Sequence, residues 1–133
     1  MAYKELCEKA KIALKSAYAP YSNFLVGAAL LCEDGEVYLG CNIENSSFGE
    51  TICAERVAFF KAISEGHKKF SAIAIAGGEK GKITTGAFPC GACRQVMAEF
   101  CGEDFEIIVV LKNEYKVYKL KDLLPNSINL NGE

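Results

Sequence analysis

The sequence lacks an excess of basic residues, since 15 lysines and arginines stand against 17 acidic residues and the formal net charge is −2. Proteins that bind nucleic acids usually present a basic surface to the phosphates, so no nucleic-acid partner is expected. The sequence also lacks a long hydrophobic run, because the apolar stretch at residues 24–32 is far shorter than the ~20 residues that span a bilayer. The charged N-terminal residues 1–6 contain no hydrophobic signal-peptide segment. We therefore expect a cytoplasmic protein with neither a nucleic-acid nor a membrane partner.

Disulfide pairing and histidine ligands are not expected either. The cysteine count of seven is odd, and no secretory signal accompanies it, which argues against a disulfide framework. The one histidine, His67, lies in the charged segment 65–69, where a surface position is expected rather than a ligand role. The cysteines outside the motifs described below are expected to be buried apolar thiols, and they are Cys7, Cys32, Cys41 and Cys101.

The hydrophobic pattern predicts alternating helices and strands in a single domain over residues 1–133, a length that supports one hydrophobic core. Thr51 is predicted to cap the central helix, and residues 77–88 are predicted to form a glycine-rich loop. The predicted elements are helix 3–17, strands 24–31 and 37–40, a helix from Thr51 to Gly66, strand 70–76, helix 90–100, strands 105–111 and 115–118, and a helical turn at 120–124. Because strand–helix–strand connections favour parallel pairing, the sequence predicts an α/β fold with a mixed five-stranded sheet covered by helices.

Two short motifs contain three cysteines that could share a metal ion. Cys53 opens the segment 53–56, and Cys90 and Cys93 belong to the segment 89–93. Cysteines spaced i, i+3 at the start of a helix lie on one face, where the free N–H groups of the first turn lower the thiol pKa. Three sulfurs with an open fourth position suit a catalytic zinc, whereas a structural zinc normally has a fourth protein ligand. The sequence predicts one Zn²⁺ per chain, bound by these three cysteines.

Glu55 is the candidate catalytic residue because it follows the first cysteine by two positions. The pattern Cys-x-Glu followed by Pro-Cys-x-x-Cys is typical of zinc deaminases, in which the glutamate does not bind the metal. In that chemistry zinc makes a water molecule acidic near neutral pH. Glu55 would accept the water proton, pass it to the pyrimidine ring nitrogen and deliver a further proton to the leaving amino group. Arg56 would donate hydrogen bonds to the thiolates and withdraw part of their negative charge.

Taken alone, the Cys-x-x-Cys motif also fits a structural zinc site or a redox site. The catalytic interpretation depends on Pro89 before the motif and on Cys-x-Glu upstream. The glycine-rich segment 77–83 is similar to a phosphate-binding loop only in its glycine content. Its spacing is wrong and Ile83 stands where serine or threonine is needed, so no phosphate site is predicted.

Over nearly its full length the chain resembles the small homotetrameric cytidine deaminases. The segments that carry the resemblance are residues 18–24, 26–30, 40–45, 53–56 and 89–95. The resemblance implies a three-layer α/β/α sandwich and zinc-dependent hydrolytic deamination of cytidine and deoxycytidine to uridine and deoxyuridine in pyrimidine salvage. It also implies a homotetramer with active sites shared between subunits.

The resemblance further assigns residues to the substrate: Asn42 and Glu44 to the ribose, Phe24 to one wall of the base pocket, and the backbone at Ala54 to the base edge. An amide and a carboxylate one residue apart on an extended segment can both face a vicinal diol. The alternative interpretation is ordinary loop polarity for the first two and a strand core position for the phenylalanine.

The chain departs from the family pattern at two positions that bear on the substrate. Phe48 stands where the family often has tyrosine, so a hydrogen bond from that position to the sugar is absent. Ile128 stands where the family often has an aromatic residue that reaches a neighbouring subunit's pocket. Neither departure touches the residues that define the reaction.

Two other functions compete with cytidine deamination. One keeps the chemistry but acts on another aminopyrimidine nucleoside, such as blasticidin S. The other is a structural zinc module without turnover, which Glu55 and the lack of an evident fourth ligand disfavour. Asn42, Glu44 and Arg56 favour the simple nucleoside.

Overall fold

The computed structural model describes residues 1–84 and 86–131. In chain order the elements are α1 (Tyr3–Leu14), β1 (Phe24–Cys32), β2 (Val37–Cys41), a 3-10 turn (Phe48–Glu50), α2 (Ala54–Ser64), β3 (Phe70–Glu79), α3 (Gly91–Phe100), β4 (Glu106–Val110), β5 (Tyr115–Lys119) and the short α4 (Leu120–Leu123). This order of helices and strands confirms the order predicted from the hydrophobic pattern.

The five strands form one mixed sheet in the order β2-β1-β3-β4-β5. Strand β1 pairs antiparallel with both β2 and β3, and β4 pairs antiparallel with β5. Strands β3 and β4 are parallel and are connected through α3, as a strand–helix–strand connection requires. The predicted α/β class with a mixed five-stranded sheet is therefore confirmed.

Helices cover both faces of this sheet, which gives three layers. Successive side chains of a strand point to opposite faces, so Ile73 and Ile75 pack with α2 and α3 while Ala72 and Ala74 pack against α1. The two apolar clusters include Phe59 and Met97 on one side and Leu6, Ala10 and Leu14 on the other. The α/β/α sandwich expected from the resemblance is present.

Two glycines let helices approach the sheet closely. A Cβ at Gly27 would overlap the backbone of α1 at Ala10, and a Cβ at Gly40 would overlap the carbonyl oxygen of Ala54 in α2. Because Ala54 directly follows Cys53, the approach at Gly40 fixes the end of α2 that carries the predicted metal ligand.

Three local predictions differ from the structure. Helix α1 ends at Leu14 rather than at residue 17. Strand β3 continues to Glu79 through Gly77 and Gly78, which were predicted as loop, because these residues pair with β1. Cys53 rather than Thr51 is the N-cap of α2. No helix among the residues described is long and apolar enough to cross a membrane.

Candidate metal centre and active site

Two helices present their N-terminal ends to the same point. Cys53 is the N-cap of α2 and Cys90 is the N-cap of α3, while Cys93 lies one turn into α3. All three have extended or helical backbone that leaves the first-turn N–H groups free, and the positive end of each helix dipole favours thiolate. The i, i+3 spacing puts Cys90 and Cys93 on one face of α3, and this face meets the end of α2 that carries Cys53.

The sulfur atoms lie at distances that fit a zinc ion. Cys53 Sγ is 3.6 Å from Cys90 Sγ, which is 3.4 Å from Cys93 Sγ, and all three sulfurs lie within 4.8 Å of one another. A tetrahedral zinc with Zn–S bonds of about 2.3 Å separates its sulfurs by about 3.8 Å, so the cluster needs only small shifts to hold the ion. Cys93 is buried, Cys53 is half-buried and Cys90 is exposed, which leaves one side open.

Arg56 lies against this cluster as predicted from its position in α2. Its Nη2 donates a hydrogen bond to Cys53 Sγ at 3.4 Å, and its Nε is buried without a hydrogen-bond partner. Hydrogen bonding to Cys93, followed by the guanidinium of Arg56, lowers the pKa of Cys53 to about 5. The guanidinium pKa rises above its usual value in return, chiefly through the bond to Cys53 and also through Cys93. Arg56 thus stabilises negative charge on Cys53, whereas the hydrogen bond to Cys53 raises the pKa of Cys93.

Glu55 is the buried carboxyl group of the site. It is only 4% exposed and lies on the first turn of α2 beside the cysteines. Burial is the main cause that raises the pKa of Glu55 to about 7, and the negative charge of Cys53 adds to it. A carboxyl group with a pKa near neutrality can both accept and release protons at physiological pH, which is the property a proton shuttle needs.

A cavity of ≈ 340 Å³ lies over the open side of the cluster. Cys53, Cys90 and Glu55 line its floor, and Phe24 and Phe88 line its walls. Its volume falls within the range of about 300–1,000 Å³ that is usual for small-molecule sites. The cavity therefore places a small molecule in contact with the metal ligands and with Glu55.

Asn42 lines the same cavity and is held rigidly there. Its Oδ1 accepts a hydrogen bond from the Val26 N–H at 2.9 Å, and its Nδ2 donates to the Phe24 carbonyl at 2.8 Å. A primary amide has two donors and two acceptor sites, so one of each remains for a ligand. Ala54, fully buried, also lines the cavity.

Glu44 lies beside the cavity rather than in it. Its carboxylate accepts hydrogen bonds from the Tyr21 N–H at 2.9 Å and from the Ser22 N–H at 3.2 Å, and a further one from the Ser22 hydroxyl. These bonds, led by the hydroxyl, lower the pKa of Glu44, so the group is ionised. It lines an adjacent depression that shares Thr51 with the cavity, and its assignment to the ribose stays a prediction.

Phe88 is the cavity residue that the sequence analysis missed. It was placed in the glycine-rich loop and given no role, yet it lines the cavity together with Phe24. The available signal was its position directly before Pro89 in the metal-binding motif. The other two residues discussed for the substrate lie outside this cavity: Phe48 is 75% exposed against Tyr21, and Ile128 is 65% exposed.

The remaining cysteines are all free thiols, as expected. Cys7 and Cys32 are buried, in agreement with the prediction, whereas Cys41 and Cys101 are only half-buried. Burial raises the pKa of Cys32 to about 11. These thiols are therefore not reactive nucleophiles.

Residues 1–110 match the model of the cytidine and deoxycytidylate deaminase zinc-binding region. The chain is 46% identical over 130 residues to the cytidine deaminase of Sporosarcina psychrophila, covering 97% of this chain and 93% of that protein. It is 47% identical over 123 residues to the cytidine deaminase of Halalkalibacterium halodurans, covering 92% and 90%.

Solved structures of the same kind superpose on it closely. The cytidine deaminase of Burkholderia pseudomallei has a TM-score of 0.89 and 44% identity, covering 96% of this chain and 100% of that one. The cytidine deaminase of Mycobacterium tuberculosis has a TM-score of 0.80 and 37% identity, covering 98% and 99%. The matched family region, residues 1–110, contains the three cysteines and Glu55.

Proposed function

The chain belongs to the cytidine and deoxycytidylate deaminase family, and from this premise we propose that it hydrolyses cytidine and deoxycytidine to uridine and deoxyuridine in pyrimidine salvage. Zinc is its cofactor. The observation that carries the proposal is Glu55, a buried carboxyl group beside the cluster of three cysteines and in the lining of a cavity of ≈ 340 Å³. A structural zinc module has no use for such a group, because burying a carboxyl group away from water costs stability.

The residues of the chain divide the work of deamination between them. When bound by Cys53, Cys90 and Cys93, zinc supplies the Lewis acidity that makes water a nucleophile at neutral pH. Glu55 takes a proton from the attacking water on a carboxylate oxygen and transfers it to the pyrimidine ring nitrogen, which makes the adjacent carbon electrophilic. Once the water oxygen has bonded to that carbon, Glu55 moves the remaining proton of this oxygen to the amino group, and the carbon–nitrogen bond breaks to release ammonia.

The cavity walls suit a flat base joined to a sugar. We assign the ring faces to Phe24 and Phe88 and the base edge to the backbone at Ala54, and the place of all three in the cavity lining supports this assignment. We assign the remaining donor and acceptor of Asn42 to the sugar. Glu44, in the adjacent depression, is assigned to the same sugar and would reach it with the acceptor capacity that Tyr21 and Ser22 leave free.

A substrate panel on the purified protein, with zinc content measured in parallel, tests the proposal. Cytidine and deoxycytidine are expected to lose the absorbance of the aminopyrimidine, and blasticidin S and deoxycytidine monophosphate are expected to turn over far more slowly. If blasticidin S were turned over faster than cytidine, the proposed substrate would be wrong and the protein would act on that class of aminopyrimidine nucleoside. Full zinc content with no turnover of any aminopyrimidine would leave only a structural zinc module.

We further propose a homotetramer in which active sites are shared between subunits, and a single domain over residues 1–133. The exposed Phe60 of α2 and the apolar groove between α1, β2 and α2 support association. We also propose a cytoplasmic location, which the seven free thiols support because reducing compartments preserve them.

A further inference from the structure

A second group of metal-binding side chains lies at the end of the sheet away from the active site. Cys32 at the end of β1, Asp34 in the hairpin turn and His67 after α2 have ligand atoms that all lie within 4.8 Å of one another. The length of α2 separates this group from the zinc cluster by about 16 Å, at 1.5 Å of rise for each of its 11 residues. Nothing in the deamination chemistry uses these side chains.

The ring of His67 is oriented as a metal-binding histidine usually is. Its Nε2 is 3.0 Å from Asp34 Oδ2 and 3.4 Å from Glu36 Oε2. On the opposite side its Nδ1 is 3.3 Å from the hydroxyl of Tyr38, and the two rings pack edge to face with centroids 5.2 Å apart. Metal-binding histidines typically donate their other ring N–H to such an oxygen, which fixes both ring orientation and tautomer. His67 was expected at the surface of a charged turn. The structure differs in that its side chain is half-buried against Tyr38.

The backbone holds the acidic residues in place before any ion binds. The Glu36 N–H donates to Asp34 Oδ1 at 3.0 Å, which leaves Oδ2 directed at His67. The Glu33 N–H donates to the Lys69 carbonyl at 3.0 Å and ties the hairpin to the segment that contains His67. The ligand atoms thus belong to two chain segments that are already joined.

We propose that Cys32, Asp34, Glu36 and His67 bind a second divalent transition-metal ion, such as zinc, more weakly than the catalytic cluster does. One sulfur, one imidazole nitrogen and two carboxylate oxygens form a ligand set that zinc accepts and that magnesium and calcium do not favour. Around a tetrahedral zinc, nitrogen and oxygen ligands lie about 3.3 Å apart, close to the two distances observed at His67.

The surroundings of the group explain both the binding and its modest strength. Three anionic ligands leave a zinc site with one excess negative charge, and Lys68 and Lys69 line the same cavity of ≈ 390 Å³ as Asp34 and His67. Binding must displace the proton of Cys32, whose thiol is buried, and must fix two exposed carboxylates. An ion there would clamp the β1–β2 hairpin to the turn after α2 and stabilise the fold by mass action.

Metal stoichiometry of the zinc-loaded protein tests the site independently of catalysis. Equilibrium dialysis against rising free zinc is expected to raise the zinc content from one to two per chain. His67→Gln and Asp34→Asn are expected to weaken the second equivalent at least about tenfold, since even the loss of a residue that only orients a ligand costs that much. Glu114→Gln, an acid-to-amide change at an exposed position between β4 and β5, and Cys41→Ser, a change of a thiol on β2, are the matched controls and should bind both ions.

Cobalt added to the zinc-loaded protein identifies the ligands. Occupation of the second site is expected to give a thiolate-to-cobalt charge-transfer band that Cys32→Ser removes and Cys41→Ser keeps, with the original equivalent of zinc retained in both. The proposal is overturned if the zinc content stays at one, or if the second equivalent persists in both His67→Gln and Asp34→Asn. Either result would leave His67 as a hydrogen-bonded turn residue and would not affect the proposed deaminase activity.

Discussion

At the residue scale, the pKa of Glu55 is the property of the site that depends most on the fold. Its identity is visible in the sequence two positions after Cys53, but its pKa is a property of burial. Because α2 packs on the sheet at Gly40, the first turn of the helix is closed off from solvent and the pKa of Glu55 rises to about 7. Proximity to the metal ligands and exclusion from water together make it a proton shuttle rather than a surface charge.

Glu55→Gln is expected to keep the zinc and the fold but to lose most turnover, because the amide is nearly isosteric and cannot move protons. General acid–base groups contribute ~10²–10⁴-fold, and a group serving several transfers should reach the upper end of that range. Steady-state kinetics and zinc analysis on the same preparation measure both effects. Glu50→Gln, at an exposed position in the 3-10 turn, is the control and should stay near parental activity. Turnover of the Glu55 variant within tenfold of the parent would contradict the role.

Arg56→Ala is expected to weaken zinc retention or turnover more than Arg56→Gln. The guanidinium donates a hydrogen bond to Cys53 Sγ, and Cys53 and Cys93 raise its pKa in return. Its positive charge therefore offsets the excess negative charge of three thiolates. Glutamine can donate in the same direction without charge and should restore part of the loss. Zinc content and kcat are measured for both variants. Near-normal values for Arg56→Ala would instead describe an arginine that makes only a weak ion pair.

The sequence alone predicted that Cys53, Cys90 and Cys93 come together, but it did not predict which residue starts α2. The spacing of Cys90 and Cys93 and the Cys-x-Glu motif depend on local helix geometry, which is why the cluster could be anticipated. The prediction that Thr51 caps α2 was wrong: threonine is a preferred N-cap residue, but the helix starts two residues later, directly after Cys53. Phe88 was missed because its place on the wall results from a loop path that no periodicity encodes.

At the scale of elements, the active site depends on how closely α2 approaches β2. Gly40→Ala would drive a Cβ into the Ala54 carbonyl and the Ala58 N–H, and the helix end that carries Cys53 and Glu55 must move away. We expect about 1–3 kcal/mol of destabilisation, as for other overpacked contacts, together with lower turnover. Gly102→Ala is the matched control, since a Cβ there meets nothing within 4 Å. Chemical denaturation and kinetics report both quantities, and equal behaviour of the two variants would contradict the close contact.

The metal also joins α2 to α3. Cys90→Ala and Cys93→Ala are each expected to lose zinc from the cluster and to lower stability, because binding to the folded state stabilises it by about 4 kcal/mol at a free zinc concentration 1,000-fold above Kd. Elemental analysis at low free zinc and thermal unfolding measure the two effects. Cys101→Ala, outside the cluster, is the control for loss of a thiol. Retention of full zinc in both cluster variants would remove these cysteines from the ligand set.

The elements themselves were predictable wherever the hydrophobic period was clear. The alternation in β3 placed the strand, but its extension through Gly77 and Gly78 follows from pairing with β1, a long-range contact that overrides the low strand propensity of glycine. A Cβ at Gly78 would overlap the Lys82 carbonyl, so glycine is required there by a turn that closes on the strand. The glycine content suggested a loop because glycine is flexible. The sequence does not show that the Lys82 carbonyl lies so close that only glycine fits at position 78.

At the scale of the whole molecule, α2 exposes a large aromatic side chain, Phe60, to solvent. The sequence predicted a buried helix, since apolar residues occupy most of its circumference. In the chain by itself Phe59 is fully buried whereas its neighbour Phe60 is 46% exposed. Beside it lies an apolar groove between α1, β2 and α2, whose lining includes Ile12 and Val57. A helix that is apolar over most of its circumference and exposes an aromatic residue next to an apolar groove is typical of a subunit that contacts a second chain there.

The homotetramer is the prediction that belongs to this scale, and sedimentation at micromolar concentration measures it. The parent protein is expected to sediment as four chains. Phe60→Glu is expected to shift it towards smaller species, because a charge buried in an apolar interface lacks a partner, while Phe60→Leu keeps the apolar contact and the assembly. If active sites are shared between subunits, the glutamate variant should also lose turnover as it dissociates, while circular dichroism stays native. A parent protein that sediments as one chain would remove both the tetramer and the shared active site, and the exposed face of α2 would then need another partner.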